Sequence, residues 1–469
     1  MVWQRARFEL VRGAGVVVVA IGTLAFGGRL AAQSNAAASR RGELLVKFKP
    51  GVSAGARQAA LARAGAKVHK HFARTSIDHV EVTASTLESD PVVLYVQPNY
   101  IRRASGAGVP NDPAWTANTL WGLSRVNAPS AWAAFPPAAR DVVVAVLDSG
   151  INYRHPDLAA SAWVNRGEVP GNGMDDDGNG YVDDVRGIDT WNRDSDPMDD
   201  FGHGTHVAGI IGAQGDNGIG AVGVAWNPQL VACKFLDATG TGNDAGAITC
   251  LEYLIDLKVN RGVNIRIANN SWGSLRNPNA PFPYALRDAI DAAGQAGIVS
   301  VFAAGNEGVN DDVTPYDPAS FASPSIVSVT ASDENDARAA FGSYGATTVD
   351  LAAPGTNIFS TYGDGYAYSS GTSMAVPHVS GTLALMVSQN PSLTAAALKQ
   401  LVLASADRLP QWSGVTVTGA RLNVFAALQA ATEPVPAPTC GAPPTHFTSR
   451  TGRWMATGRS SRVSAASSR

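Results

Sequence analysis

The sequence predicts an α/β protein, a three-layer domain around a mostly parallel sheet, preceded by a small α+β unit. Three observations carry this. Five apolar, β-branched runs at 142–147, 230–236, 265–269, 298–303 and 326–329 lack polar alternation, as strands buried on both faces do. Helical stretches, including 245–259 and 284–296, lie between them, and that alternation implies βαβ units with helices on both faces of the sheet. Ahead of them, residues 41–103 hold a shorter pattern of strand, helix and strands.

In chain order, residues 1–34 read as a secretory signal. Arg5, Arg7 and Arg12 open it, an uncharged stretch with an apolar centre covers 13–28, and the small residues Ala31, Ala32 and Ser34 follow. The stretch is shorter than the ~18–20 apolar residues of a bilayer span; an uncleaved anchor is the alternative weighed. No other segment reads as a span, so export without a stable membrane anchor is expected. Within 41–103, a strand over 43–49 ends at Pro50 and Gly51. A helix over 53–65 has Ser53 as N-cap and Gly65 as stop. Strands at 79–83 and 92–96 complete the unit. A loose Ala/Ser/Gly stretch at 104–108 separates it from the large domain at 110–430. Residues 431–469 form a Pro-rich linker and a basic tail with five arginines and no acid after Cys440. That composition cannot bury a core and is expected to be disordered.

Composition excludes several classes. A net charge of −3, from 36 basic and 39 acidic residues, lacks the basic footprint of a nucleic-acid binder. With 45% apolar and 16% charged residues, wholesale disorder is excluded. Three cysteines are too few for a disulfide scaffold and do not match zinc spacing. Cys233 and Cys250 fall on a strand and the next helix; pairing and burial as free thiols both fit.

Three segments carry chemistry. Asp148 sits on the lip of a buried strand in Val-Leu-Asp-Ser-Gly, His203 opens a small-residue helix in Gly-His-Gly-Thr-His-Val-Ala-Gly, and Ser373 opens another in Gly-Thr-Ser-Met-Ala-Val-Pro-His. A hydroxyl needs a base to take its proton, and a carboxylate fixes the tautomer of a histidine base. Each segment alone reads as a cap or a structural residue; their joint occurrence points to nucleophilic catalysis. His378 lies five positions after Ser373, roughly 140° round a helix, and cannot meet it. His206 heads into its helix, which leaves His203 as the base.

These three boxes resemble those of the subtilisin-like serine proteases, the subtilases, over roughly residues 110–430. The resemblance implies a subtilisin-like fold and an endopeptidase working through an acyl-enzyme. Asp148 would be the orienting carboxylate, His203 the general base, Ser373 the nucleophile and Asn306, in Ala-Ala-Gly-Asn-Glu-Gly, the oxyanion donor. It implies that a substrate peptide lies as a third strand between Gly240-Thr241-Gly242 and Ser271-Trp272-Gly273. Ala303, Ala304 and Gly305 would line the first side-chain pocket, with room for a broad, mostly apolar preference. Residues 41–103 resemble the family's propeptide, an inhibitor of its own enzyme, so the mature chain is expected to begin between Arg103 and Asn111. A catalytically inactive binding or scaffold module is the alternative from another class; all four catalytic positions carry working residue types. An esterase is disfavoured, because Gly-Thr-Ser-Met-Ala lacks the second glycine of a nucleophile elbow.

Asp148 and His203 are 55 positions apart; the excess is an acidic insertion. There Asp175, Asp177 and Asn179 alternate, Gly180 follows, and Asp183 or Asp184 closes the set, which reads as a structural calcium loop; a solvated acidic loop is the alternative. A second calcium site follows from the resemblance alone, with Asp112, Asp157 and Asn217 as side-chain ligands and Gln214, Ile219 and Ala221 completing it. The expected protein is secreted to the extracellular space or periplasm, monomeric, acts on proteins and peptides, and has no nucleic-acid partner.

Overall fold

The computed structural model describes residues 39–82, 87–100 and 109–433. The expected signal, the 104–108 stretch and the tail from 434 onward lie outside the described residues. Contacts divide the chain into two compact units, Met1–Arg102 and Arg103–Arg469.

In the first unit, β1 (Ser39–Phe48), α1 (Ala54–Arg63), β2 (Lys67–Phe72), β3 (Ile77–Glu81) and β4 (Val93–Tyr100) build an antiparallel sheet in the order β2-β3-β1-β4. Ser53 caps α1, its hydroxyl accepting the N–H of Ala56 at 3.3 Å. Gly65, at φ +63°, turns the chain out of the helix. Alternate residues Val46, Phe48 and Val80 are buried with Ala60 and Leu61 of α1. β2 escaped the sequence reading because all six of its residues are exposed, so no apolar period marks it.

The second unit begins with α2 (Pro113–Thr116), α3 (Trp121–Arg125), α4 (Ala128–Ala134), β5 (Val143–Asp148), β6 (Gly187–Asp189), α5 (His203–Gly212) and β7 (Gln229–Lys234). It continues through α6 (Asp244–Val259), β8 (Ile265–Asn270), β9 (Ser274–Leu275), α7 (Tyr284–Gln295), β10 (Val299–Ala303), β11 (Tyr316–Asp317), β12 (Ile326–Ser332) and β13 (Leu351–Pro354). It ends with β14 (Ile358–Tyr362), β15 (Gly365–Ser369), α8 (Thr372–Gln389), α9 (Ala395–Ala404), β16 (Asp407–Arg408), β17 (Ala420–Arg421) and α10 (Val424–Thr432). Nine strands form one sheet in the order β16-β17-β13-β12-β10-β8-β5-β7-β6, parallel throughout except for the β16–β17 edge.

The five predicted runs are its central strands β5, β7, β8, β10 and β12. β5 shows why they lack polar alternation. Val144 and Val146 join one core with Val207 of α5, Leu383 of α8 and Leu428 of α10. Val143, Ala145 and Leu147 join the other with Leu254 of α6 and Ile290 of α7. Each fully buried valine, leucine or isoleucine among them contributes about 1.5–3 kcal/mol, and the two cores make the three layers. Cys233 of β7 and Cys250 of α6 are disulfide-bonded across the second core. Asp148, Asn270 and Ala303 end their strands on one edge of the sheet, where open α/β sheets place their sites.

Candidate active site

Asp148 is the last residue of β5, and its carboxylate is fully buried. Its Oδ1 accepts the Nδ1–H of His203 at 2.8 Å and the N–H of Ser149 at 2.7 Å. His203 opens α5, and Gly204 lets that helix start so close to the strand end: a Cβ there would stand 2.0 Å from the Gly150 carbonyl oxygen. Asp199 ties the helix start down. Its Oδ2 accepts the Thr205 N–H at 2.8 Å, and its Oδ1 accepts the N–H groups of Phe201 and Gly202 and the Ser149 hydroxyl. A carboxylate at a helix N-terminus is also favoured by the helix dipole. Below it, the buried Lys234 ammonium bonds the carbonyls of Ser149 and Leu236 and the carboxylate of Asp200.

Burial pulls the His203 pKa down, but the charge and hydrogen bond of Asp148, with Asp199 behind, outweigh it and raise the pKa above the ordinary imidazole value. A base must be neutral to accept a proton, so activity is lost as pH falls through that raised value. The acid limb of kcat/KM is expected to have its midpoint above about pH 6.5; a midpoint at or below it would show that Asp148 does not govern the base. His206 is held differently. Its Nε2 faces the carbonyls of Ile358 and Ala367, both at 3.1 Å, and burial first of all lowers its pKa to about 4. His378, bonded to the Met374 carbonyl, is likewise buried and lowered to about 4.

Ser373 lies in the first turn of α8, which packs along α5. Pro377, inside that helix, has no N–H, so the Ser373 carbonyl four residues earlier loses its helical donor. The Ser271 hydroxyl replaces it at 2.9 Å, and the Ser373 hydroxyl donates to the Ser271 carbonyl at 3.1 Å. Two reciprocal bonds thus pin Ser373 to the segment after β8. Asn306 lies just past β10. Its Oδ1 accepts the N–H of Thr372 at 2.8 Å and the Thr372 hydroxyl at 3.0 Å, which leaves Nδ2 as the donor on the exposed edge of the side chain.

Residues 240–242 and 271–273 pair in no sheet among the described residues. Gly240, Thr241, Gly242, Trp272 and Gly273 line one groove of about 470 Å³. Ala303 and Ala304 are buried behind the adjoining slot. The Tyr316 ring stands between the two walls, its Cε1 2.4 Å from where a Cβ on Gly273 would be and its Cδ2 2.6 Å from one on Gly305. Small residues in the walls therefore accommodate the protein's own tyrosine, which their spacing in sequence did not show.

The profile of the subtilase family, peptidase S8, matches residues 139–428, and that of the fervidolysin N-terminal prodomain matches residues 28–99. The chain belongs to the subtilase family. A thermophilic serine proteinase of Bacillus sp. strain AK1 is 33% identical over 396 residues, 83% of this chain and 87% of that protein. Subtilisin E of Bacillus subtilis strain 168 is 33% identical over 398 residues, covering 82% and 91%. The crystal structure of a cold-adapted subtilisin-like serine proteinase superposes with a TM-score of 0.50 at 30% identity, over 65% of this chain and 97% of that one. The protein is a serine-type peptidase of the subtilisin-like class, made with a prodomain. No helix among the described residues is long and apolar enough to cross a membrane.

Two acidic loops complete this subtilase. In the insertion, one oxygen from each of Glu168, Asp175 and Asp177 lies within 4.8 Å of the others. Glu168 was missed in the sequence because it precedes the acidic run by seven positions; the fold returns it, its Oε1 accepting the N–H groups of Asp176 and Asp177. Asn179 is adjacent, its Nδ2 donating to Asp184 at 2.9 Å. The other two expected ligands border that trio, Asp184 sharing the Asn165 amide with Asp177 and the Asp183 N–H bonding Glu168. Asp183 accepts the N–H groups of Gly171, Asn172 and Gly173. Asp184 is buried under the Tyr253 hydroxyl, 2.6 Å away, and burial raises its pKa to about 6. In the second loop, Asp112 and Asp157 are both fully buried, and neither pairs with a basic side chain among the described residues. Burial first, and the Asp157 charge after it, raise the Asp112 pKa against the N–H groups of Asp216 and Asn217. Asn217 Nδ2 and the Ala221 N–H donate to Asp157, the Gln214 N–H bonds the Asp157 carbonyl, and the Ile219 N–H bonds Asn217. Buried carboxylates without a counter-charge and all-oxygen clusters are donor sets that suit calcium.

Proposed function

We propose that this subtilase is a secreted, calcium-stabilised endopeptidase that cleaves peptide bonds through an acyl-enzyme and processes its own precursor. The observation that carries the reading is the 2.8 Å bond from the buried Asp148 to His203 Nδ1. That bond fixes the tautomer that leaves Nε2 free to accept a proton. Ser373 Oγ attacks the substrate carbonyl carbon and its proton passes to His203 Nε2. The carbonyl oxygen, now negative, takes hydrogen bonds from Asn306 Nδ2 and from the N–H groups at the start of α8. The imidazolium then protonates the leaving nitrogen and the C–N bond breaks. Water repeats the sequence on the acyl-enzyme, releasing the acid and restoring Ser373. Substrate backbone lies along 240–242 and 271–273, whose lack of sheet partners supports that role. The prodomain match supports 41–103 as the inhibitor held until processing.

Asn306→Ala should fold, though the buried Thr372 loses the acceptor of its N–H and hydroxyl at a cost of about 1–3 kcal/mol, and turn over about 10²–10³-fold more slowly, the effect that removing such a donor has in this family. Unchanged kcat would place the oxyanion elsewhere. For the insertion, Glu168, Asp175 and Asp177 would hold calcium and tie the loop, while Asp112 and Asp157 would hold a second ion. Metal that binds only the folded state stabilises it by mass action, about 2.7 kcal/mol at a hundredfold excess over Kd. Chelation should therefore lower Tm by about 5 °C or more. Asp175→Asn with Asp177→Asn should bind one ion fewer by calorimetry and lose part of the chelator sensitivity. Equal stoichiometry in variant and parent would reduce the insertion to a solvated acidic loop.

A further inference from the structure

Lys234 ends β7, and it is 1% exposed. An ammonium carries three N–H donors and no acceptor, and here each donor goes to a different segment. The Ser149 carbonyl after β5 takes one at 3.1 Å, the Leu236 carbonyl after β7 takes one at 2.6 Å, and Asp200 Oδ1, ahead of α5, takes one at 2.7 Å. Asp200, the one carboxylate bonded to it among the described residues, has a side chain 46% exposed. A buried cation beside a half-exposed acid adds little to stability, since an apolar side chain of similar volume fills such a place without taking a charge out of water. The use of the lysine lies in what it joins.

The three segments are those that carry the site. The Ser149 N–H bonds Asp148 Oδ1, and the Ser149 hydroxyl accepts the N–H of Gly204, next to His203, and donates to Asp199. Ser149 is thus tied to the Asp148–His203 pair without any help from Lys234. Leu236 leads into 237–242, which is braced from within. The Asp237 N–H bonds the Thr241 carbonyl at 2.9 Å, and Asp237 Oδ1 accepts the N–H groups of Thr239 and Thr241. Gly242 lies against Leu236, whose Cδ2 is 2.7 Å from where a Cβ would stand. Among the described residues, Lys234 is the one donor to the Leu236 carbonyl. Two carbonyls cannot bond each other, so a multiple donor between them is what fixes this braced turn against the end of β5. We propose that Lys234 is a positioning residue, whose ammonium holds the substrate-binding segment 240–242 in register with the Asp148–His203 pair. This rests on the endopeptidase reading above, which lays substrate along 240–242.

Two substrates separate positioning from stability on the mature enzyme. A fluorogenic peptide with four residues on each side of the cleaved bond engages 240–242, whereas p-nitrophenyl acetate is too small to reach it and uses only the nucleophile, the base and the oxyanion donors. Rates are taken per active site, titrated with a serine-directed sulfonyl fluoride, and well below the melting temperature of each protein. Lys234→Met should lower kcat/KM on the peptide about 10²-fold, the scale of an ångström of misplacement, and on the ester less than about threefold. Asp200→Ala, which removes one acceptor near the surface, should show the same split at about fivefold, the weight of one hydrogen bond. If Lys234→Met yields no folded, titratable protein, the Asp200→Ala split decides. Equal losses on peptide and ester, or no loss on the peptide, overturn the positioning role and leave the endopeptidase reading intact. A parent enzyme that hydrolyses the ester and not the peptide overturns the endopeptidase reading, and the role of Lys234 with it.

Discussion

Ser373→Ala is expected to accumulate as an uncleaved precursor and to lose peptide hydrolysis by about 10⁶-fold, the scale seen on removing the nucleophile in this family. The expectation rests on where Oγ sits. It donates to the Ser271 carbonyl at 3.1 Å, so the hydroxyl is held against the segment that would carry substrate, in the first turn of a helix whose N–H groups have no intrahelical acceptor. No other hydroxyl in that turn can replace it: Thr372 already gives its hydroxyl to Asn306. The fold should survive, because an alanine there keeps the Ser373 carbonyl and its bond from Ser271. Expression in a host lacking other proteases, followed by amino-terminal sequencing and intact mass, reads both effects at once. A variant that matures normally between Arg103 and Asn111 would remove Ser373 from the chemistry.

The parts of this site legible in the sequence are those fixed by neighbouring residues. Asp148 ends a strand, His203 and Ser373 open helices, and Pro377 stands beside Ser373 for a local backbone reason. The five central strands announced themselves because both faces are buried. What stayed hidden depends on distant contacts. Asp199 reaches Ser149 across fifty positions, Lys234 reaches Ser149 across eighty-five, and Glu168 joins the acidic loop only after the chain folds back. Asp199 stands three residues ahead of the N-cap, Gly202, so no capping signal marked it either. Nothing in the sequence distinguished the surroundings of Asp175 and Asp177 from those of Asp183 and Asp184; in the fold Asp183 also holds a glycine turn and Asp184 lies under Tyr253. Tyr316 was invisible for the same reason, since its ring packs against glycines of two other segments, Gly273 and Gly305. The strands β6, β13, β16 and β17, towards the two ends of the sheet, are two to four residues long, too short to display a period.

The second large effect is expected from Asp148→Asn, a loss of about 10⁴-fold in kcat. Two donors converge on Oδ1 of Asp148, while Oδ2 is buried with no hydrogen-bond partner among the described residues. An asparagine whose oxygen keeps the Oδ1 position would still accept from Ser149 and His203, and its NH2 would be buried without an acceptor, costing about 1–3 kcal/mol of stability. The imidazolium formed as Ser373 attacks would then face a neutral amide in a buried site. If the amide turns over instead, its NH2 faces Nδ1 and forces the proton to Nε2, the wrong tautomer for a base. Both orientations remove the stabilised imidazolium, so both slow the chemical step. They also share a second signature. The charge and hydrogen bond of Asp148 are what raise the His203 pKa against burial, so the acid limb of the residual activity should move to lower pH. A loss of less than tenfold, or an acid limb that stays where the parent has it, would show that Asp148 positions His203 without tuning it. In Ser373→Ala protein the same change should cost nothing further, because the base has no nucleophile left to activate.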